Sequence, residues 1–163
     1  MRLSVFSLAV FAVFVSNREL AAQAPHVDTS AVIGTVQRVF DAMARADSAT
    51  LRRLLVPGMH LIALATDPGA AAGPRVQTDS AFVQLIAARR QRLLERMWEP
   101  VVRLRGPIAT VWAPYDFHVD GQWSHCGIDT ATLIQTGQGW QIAGLVYTVQ
   151  RTSCPTSPLG PPQ

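Results

Sequence analysis

Apolar positions recur along this chain at two different periods, and the change of period divides it. From Val32 through Val36, Val39, Phe40 and Met43 the spacing is three and four residues, with Asp28, Thr29 and Ser30 ahead of it as caps. This predicts an amphipathic helix with one buried stripe. Asp47 and Ser48 cap a second, shorter helix carrying Leu51, Leu54 and Leu55, which Val56-Pro57-Gly58 terminates. HLIALAT, from His60 to Thr66, reads as a strand, and Asp67 to Pro74 is a Pro, Gly and Ala loop that could serve as a lid. Thr78, Asp79 and Ser80 cap a third helix begun by Phe82, Leu85 and Ile86, whose exposed side is expected to hold Arg89, Arg90 and Arg92. That Arg cluster reads as a solvated face in preference to an anion site. From about Leu94 the pattern becomes Met97, Trp98, Val101, Val102 and Leu104, one strand entered past Pro100 and therefore suited to an edge or bulge.

Between Ile108 and Arg151 the period becomes two. Three strands are expected, IATVWAPYDFHV, WSHCGIDTATLIQ and GWQIAGLVYTVQR, joined by turns at Asp120-Gly121 and Gly137-Gln138-Gly139, whose residues tolerate the positive φ of hairpin turns. Helices in the first half and antiparallel strands in the second make the class α+β. A single domain over residues 25–154 is expected, followed by a flexible Pro-rich tail at 155–163.

The amino terminus changes the picture of where this domain resides. Met1-Arg2 and the apolar run Leu3 to Val15, followed by Ala21, Ala22 and Ala24, have the layout of a secretory signal over residues 1–24, with cleavage near 22–24. The run is too short for a comfortable span, so no stable membrane span is expected after cleavage, and the product should be secreted or periplasmic. Of the 163 residues, 48% are hydrophobic and 15% charged, a balance that favours a packed globule over disorder. The formal charge is +3 and all fourteen basic residues are Arg, yet no basic run is interleaved with aromatics, which argues against nucleic-acid binding. The chain also lacks a phosphate loop, a dinucleotide fingerprint and a nucleophile elbow, so no cofactor is expected.

The order of elements, the loop after the first strand, and the ending D-G-x-W-S-H-C-G-I-D followed by G-W-Q-I resemble the nuclear transport factor 2-like superfamily, including its SnoaL-like cyclases and ketosteroid isomerase. The resemblance covers about residues 30 to 150. It implies a cone-shaped barrel, three helices packed on a strongly curved and mainly antiparallel sheet around a cavity, and a homodimer through the outer sheet face. Because that fold hosts many unrelated activities, it implies a fold more than a function. Similar to ketosteroid isomerase, Asp129 follows an Ile in the penultimate strand, where that enzyme keeps a carboxylic acid protonated to donate to an oxyanion. Asp67 falls in the loop that holds its general base. The oxyanion Tyr of the first helix has no counterpart here, since Val39 and Phe40 occupy that neighbourhood.

Strand alternation puts His125, Gly127, Asp129, Ala131 and Leu133 on one face, and Tyr115 with Val111, Ala113 and Phe117 on one face of the preceding strand. His125 and Asp129 lie four residues apart, roughly 13 Å along a strand, too far for a direct hydrogen bond. Tyr147 alternates with Ala143, Leu145 and Val149, and Trp140 with Ile142 and Val146 on the opposite side. Tyr115, Phe117, His125, Asp129 and Tyr147 are therefore the candidate ligand-binding residues for a small apolar molecule. Asp129 with Asp67 or His125 is the candidate acid/base set if the chain is an isomerase, dehydratase or cyclase, and a non-catalytic dimerisation or partner-binding module is the remaining alternative. Asp129 can equally be a structural group bonded to a neighbouring strand, turn or Arg. His26, His60 and His118 are dispersed and no metal-ligand spacing occurs, so no metal is expected. If the last hairpin turns around Gln138, partners sum to about 276, Cys126 faces roughly Gln150, and a disulfide to Cys154 follows in an exported protein.

Overall fold

The computed structural model describes residues 28–71 and 73–162. The expected signal segment and His26 lie outside the described residues. Two helices come first, α1 (Ser30–Ala44) and α2 (Ser48–Leu54), then strands β1 (His60–Ala65) and β2 (Arg75–Thr78), helix α3 (Asp79–Ala88), and strands β3 (Leu93–Met97), β4 (Val101–Arg105), β5 (Ile108–Val119), β6 (Gln122–Thr136) and β7 (Gly139–Val149). The strands form one sheet in the order β2-β1-β7-β6-β5-β3, with β4 also pairing β5. β1 runs parallel to β7 and every other pairing is antiparallel. The sheet is open, and the helices pack into its hollow.

Each helix has a local reason. In α1 the stripe Val32, Val36, Val39, Phe40 and Met43 is buried. At about 1.5–3 kcal/mol per large apolar side chain, that burial holds the helix against the sheet. The Asp47 carboxylate caps α2 by accepting from the Thr50 amide at 2.9 Å, and the Thr78 hydroxyl caps α3 by accepting from Ala81 at 3.3 Å. α2 is tied to β7 through its own C-terminus: the Gln141 amide donates to the Arg53 carbonyl at 2.9 Å, and the Val56 amide donates to the Ile142 carbonyl at 2.8 Å.

Four details depart from the sequence expectations. α3 ends at Ala88, so Arg89 is its cap and Arg90 and Arg92 lie beyond it; the buried stripe Phe82, Val83 and Ile86 has no further apolar member to extend it. The single strand expected from Leu94 is two, β3 and β4, because Glu99 takes a positive φ of 45° and Pro100 has no amide to donate. Residues 75–78, part of the loop-and-cap region in the sequence reading, form an edge strand on β1. A register shift near Leu133 inserts an extra residue into β7, and this turns Ile142 inward, where it is 2% exposed, although simple alternation sets it opposite Leu145.

Sharp hairpins and one glycine set the curvature. Asp120 and Gly121 both take positive φ in the two-residue turn between β5 and β6. At Gly127 the strands β5, β6 and β7 approach so closely that a Cβ would overlap the Thr148 carbonyl and the Tyr115 ring. The Tyr115 hydroxyl donates to that carbonyl at 2.7 Å, and the Ile128 amide is taken by the Thr148 hydroxyl at 2.9 Å. The ladder resumes beyond this crossing with Cys126 opposite Gln150, and Cys126 is bonded to Cys154 with Cα atoms 6.0 Å apart. Residues 155–162 lie along the outer face, where the Gly160 carbonyl accepts from Arg96 at 3.0 Å.

Candidate functional site

The registers generate the concave face directly. Glu95 lies beside Phe117, Tyr115 beside Gly127, Phe117 beside His125, and Ala113 beside Asp129, which in turn lies beside Tyr147. These residues share the side that the helices cover. A small apolar pocket of about 50 Å³ lies at its deep end, walled by Val36, Val39, Phe40, Met59, Ile142 and Leu145, with Asp129 among the lining residues. Glu95 and Tyr147 line both this pocket and a wider basin of about 590 Å³ that opens toward Arg75, Arg89, Ser124, His125 and Arg151. The two spaces form one cone with a carboxyl pair at its neck.

That pair is Glu95 and Asp129. Asp129 is 4% exposed, and no N–H or hydroxyl among the described residues reaches its Oδ2. A buried carboxylate left this way is expensive unless a proton or a cation satisfies it. Here the two carboxyl groups interact with each other. Burial pushes Glu95 well above the usual carboxylate range, and the adjacent Asp129 charge and their mutual hydrogen bond push it further. Burial likewise raises Asp129, to about 7, with the hydrogen bond from Glu95 acting in the opposite sense. Both carboxyls are therefore held above the usual carboxylate range, and the pair shares a proton as it titrates.

The aromatic and imidazole groups around the neck divide into two kinds. The Tyr115 ring lines the basin, but its hydroxyl is committed to the Thr148 carbonyl, and burial, then Glu95 and Asp129, push its pKa upward. Tyr147 lies directly across from Asp129 and is also raised, first by burial and then by Glu95. Phe117 stacks on His125 with centroids 4.8 Å apart, and Tyr115 meets the same imidazole edge-on at 5.7 Å. His125 is lowered to about 4 by burial, then by the charges of Arg151 and Arg75, so it is neutral at pH 7, with Nδ1 3.0 Å from the Ser124 hydroxyl.

Of the candidate residues read from the sequence, Tyr115, Phe117, His125, Asp129 and Tyr147 all face the cone. Asp67 does not line it. Its carboxylate instead accepts from the amides of Arg151 and Thr152 at 2.9 Å and from the Thr152 hydroxyl at 2.8 Å, which hold it below the usual range. Glu95 was not anticipated. Its signal is the alternation Leu93-Leu94-Glu95-Arg96-Met97, which places a carboxyl on the side of the buried Leu93. Among the described residues no group of three or more His, Cys, Asp or Glu side chains is placed to hold a metal, and no helix is long and apolar enough to cross a membrane.

The outer face holds a different cluster. Arg96 bonds both oxygens of Asp116, at 2.9 and 2.6 Å, and His118 Nε2 lies 3.3 Å from the same carboxylate. Burial acts to raise Asp116, but Arg96 and Ser157 outweigh it and leave its pKa lowered. Beside this cluster the cross-strand row Val101, Trp112, Thr130, Val146, Ile62 and Val76 runs across the sheet, with Val101, Trp112, Val146 and Val76 exposed.

No family model and no curated protein matches this sequence. Solved structures do match. A nuclear transport factor 2-like protein from Cytophaga hutchinsonii superposes with a TM-score of 0.62 at 9% identity, covering 76% of this chain and 98% of that one. A proposed dehydratase of the same family from Streptomyces avermitilis gives 0.60 at 16% identity, covering 77% and 98%. A superfamily member from Salmonella enterica gives 0.58 at 14%, covering 76% and 91%. With three helices seated in an open, mostly antiparallel sheet around a lined hollow, this chain has the nuclear transport factor 2-like cone fold.

Proposed function

We propose that this chain is an exported protein that binds a small, largely apolar molecule in the cone, with the Glu95–Asp129 pair as its polar fixing point. The observation that carries the reading is a carboxyl pair at the neck of an apolar pocket, with Asp129 buried and its Oδ2 without a donor among the described residues. Such a pair offers a donor and an acceptor side by side, while the surrounding Val, Phe, Met and Ile side chains select an apolar body. The Cys126–Cys154 disulfide supports an oxidising compartment, in keeping with the signal-like amino terminus. The test is native mass spectrometry of protein purified from its own source. A retained small molecule, lost in an Asp129→Leu variant, is the expected result; ligand-free protein whose melting temperature no apolar compound shifts would sink the reading.

A second reading, an isomerase, dehydratase or cyclase, is supported by the Asp129 pKa, since a group near 7 is well placed for general acid/base work. In that reading Asp129 and Glu95 exchange the proton with substrate; His125, neutral and lining the basin, is a polar contact, and Asp67 has no direct part. The apolar row on the outer face supports homodimerisation through that side of the sheet. Sedimentation of a Trp112→Glu variant against the native protein tests this: a native dimer that becomes a monomer supports it, and a native monomer refutes it.

A further inference from the structure

Three guanidinium groups reach the rim of the basin from three separate elements: Arg75 at the start of β2, Arg89 at the cap of α3, and Arg151 just after β7. None of them has a carboxylate within salt-bridge distance among the described residues, in contrast to Arg96 on the opposite face. The acidic groups near them are already engaged. Glu95, the acidic member of the basin lining, shares its proton with Asp129. Asp67 is held by the backbone amides of Arg151 and Thr152, so it fixes the chain at Arg151, and Asp79 accepts from the Gly58 amide at 3.2 Å. His125, between the rim and the neck, is kept neutral in part by Arg151 and Arg75, an independent sign that their positive field reaches into the basin.

Unpaired cations around a concavity with apolar walls focus positive potential within it. Arg in particular favours planar anions, which it meets with parallel N–H donors. Resting on the binding function proposed above, we infer that the ligand is an amphipathic organic anion: an apolar body directed to the neck, and a carboxylate or sulfonate head held at the rim by Arg75, Arg89 and Arg151. The acidic carboxyl pair at depth and the cations at the mouth then order the molecule along the cone. An anionic head placed the other way would meet Glu95 and Asp129.

The experiment uses the full oxidised chain and two fluorescent probes with nearly the same aromatic body, the sulfonate 1-anilinonaphthalene-8-sulfonate and the neutral N-phenyl-1-naphthylamine. The sulfonate is expected to bind about tenfold more tightly, a difference of charge alone. Replacing Arg75, Arg89 or Arg151 singly by Gln should weaken sulfonate binding roughly threefold to tenfold, and the triple variant should abolish the preference. Affinity for the neutral probe follows the apolar wall and should change little. Arg90→Gln, exposed and outside the basin, should alter neither probe, and raising salt from about 20 to about 500 mM should weaken the sulfonate alone. Arg→Lys variants, which retain charge, should recover part of the preference and so separate a charge effect from misfolding. Equal affinities for the two probes, insensitive to the Arg variants, would overturn this inference while leaving the apolar cavity standing. Binding of neither probe would overturn both.

Discussion

Glu95 and Arg96 are neighbours on β3, and they face opposite sides of the sheet. Each meets an aspartate. On the outer face Arg96 meets Asp116 in a two-point ion pair, with His118 and Ser157 completing the carboxylate's partners. On the inner face Glu95 meets Asp129, two acids without a cation among the described residues, at the edge of the cone. The Asp116 carboxylate is satisfied by Arg96 and therefore fixes structure, although neither ring nitrogen of His118 has a hydrogen-bond partner among the described residues. The inner pair is satisfied only by a shared proton, and a proton can be exchanged with a bound molecule. Equal burial of charge thus has opposite meanings on the two sides, and the difference lies in which partner the register supplies.

The sharpest way to break the comparison is to remove a partner on the outer face. Asp116→Ala should destabilise the fold by about 3–5 kcal/mol in urea unfolding, since it strands Arg96 beneath the tail; a loss below about 1 kcal/mol would place that cluster with ordinary surface pairs. Next, Cys126→Ser with Cys154→Ser opens a loop spanning 28 residues, for which chain entropy gives a loss of about 3–4 kcal/mol. An unchanged unfolding midpoint under reducing conditions would show that the tail is held by its hydrogen bonds alone.

The inner pair should respond with the opposite sign. A raised folded-state carboxyl binds more protons folded than unfolded, so its contribution is complete below the ordinary carboxylate range and is lost as pH rises toward about 7. Glu95→Gln with Asp129→Asn should therefore leave stability at pH 4 nearly unchanged and raise it by about 2 kcal/mol at pH 8. A double variant less stable at pH 8 than at pH 4, relative to native, would contradict the account. The smallest effect belongs to Asp67→Asn: a slight loss of stability confined to the loop and to Arg151, seen as faster amide exchange at Arg151 and Thr152, with the inner pair's titration unchanged. A moved titration would bring Asp67 back into the site.

Which residues of β5 and β6 share a face was legible because period-two alternation is rigid once the turns are located, but which of the two faces lines the hollow was not. Asp120-Gly121 located one turn, and the sum rule from Gln138 placed Cys126 opposite Gln150. Alternation failed at Ile142, where a bulge supplies an extra residue that nothing in the local sequence marks. It also failed between Met97 and Val101, where a residue of positive φ that is not Gly divides one apolar run into two strands. Glu95 escaped notice for a different reason: its neighbour Arg96 makes the pair look like a solvated charge couple, and only the partner strand decides which of them faces inward. Asp67 shows the converse. Its place in a loop after a first strand resembles a general base, but the chain end that occupies its carboxylate is 84 residues away in sequence.

The central claim is that Glu95 and Asp129 share a proton and titrate above the ordinary carboxylate range. Carbon-13 NMR of the side-chain carboxyls, titrated from pH 3 to 9 and assigned with Asp129→Asn, measures it directly. The account gives the pair one apparent pKa near 7 and a second raised above the ordinary carboxylate range. Two carboxyls both ionising near pH 4 would contradict it.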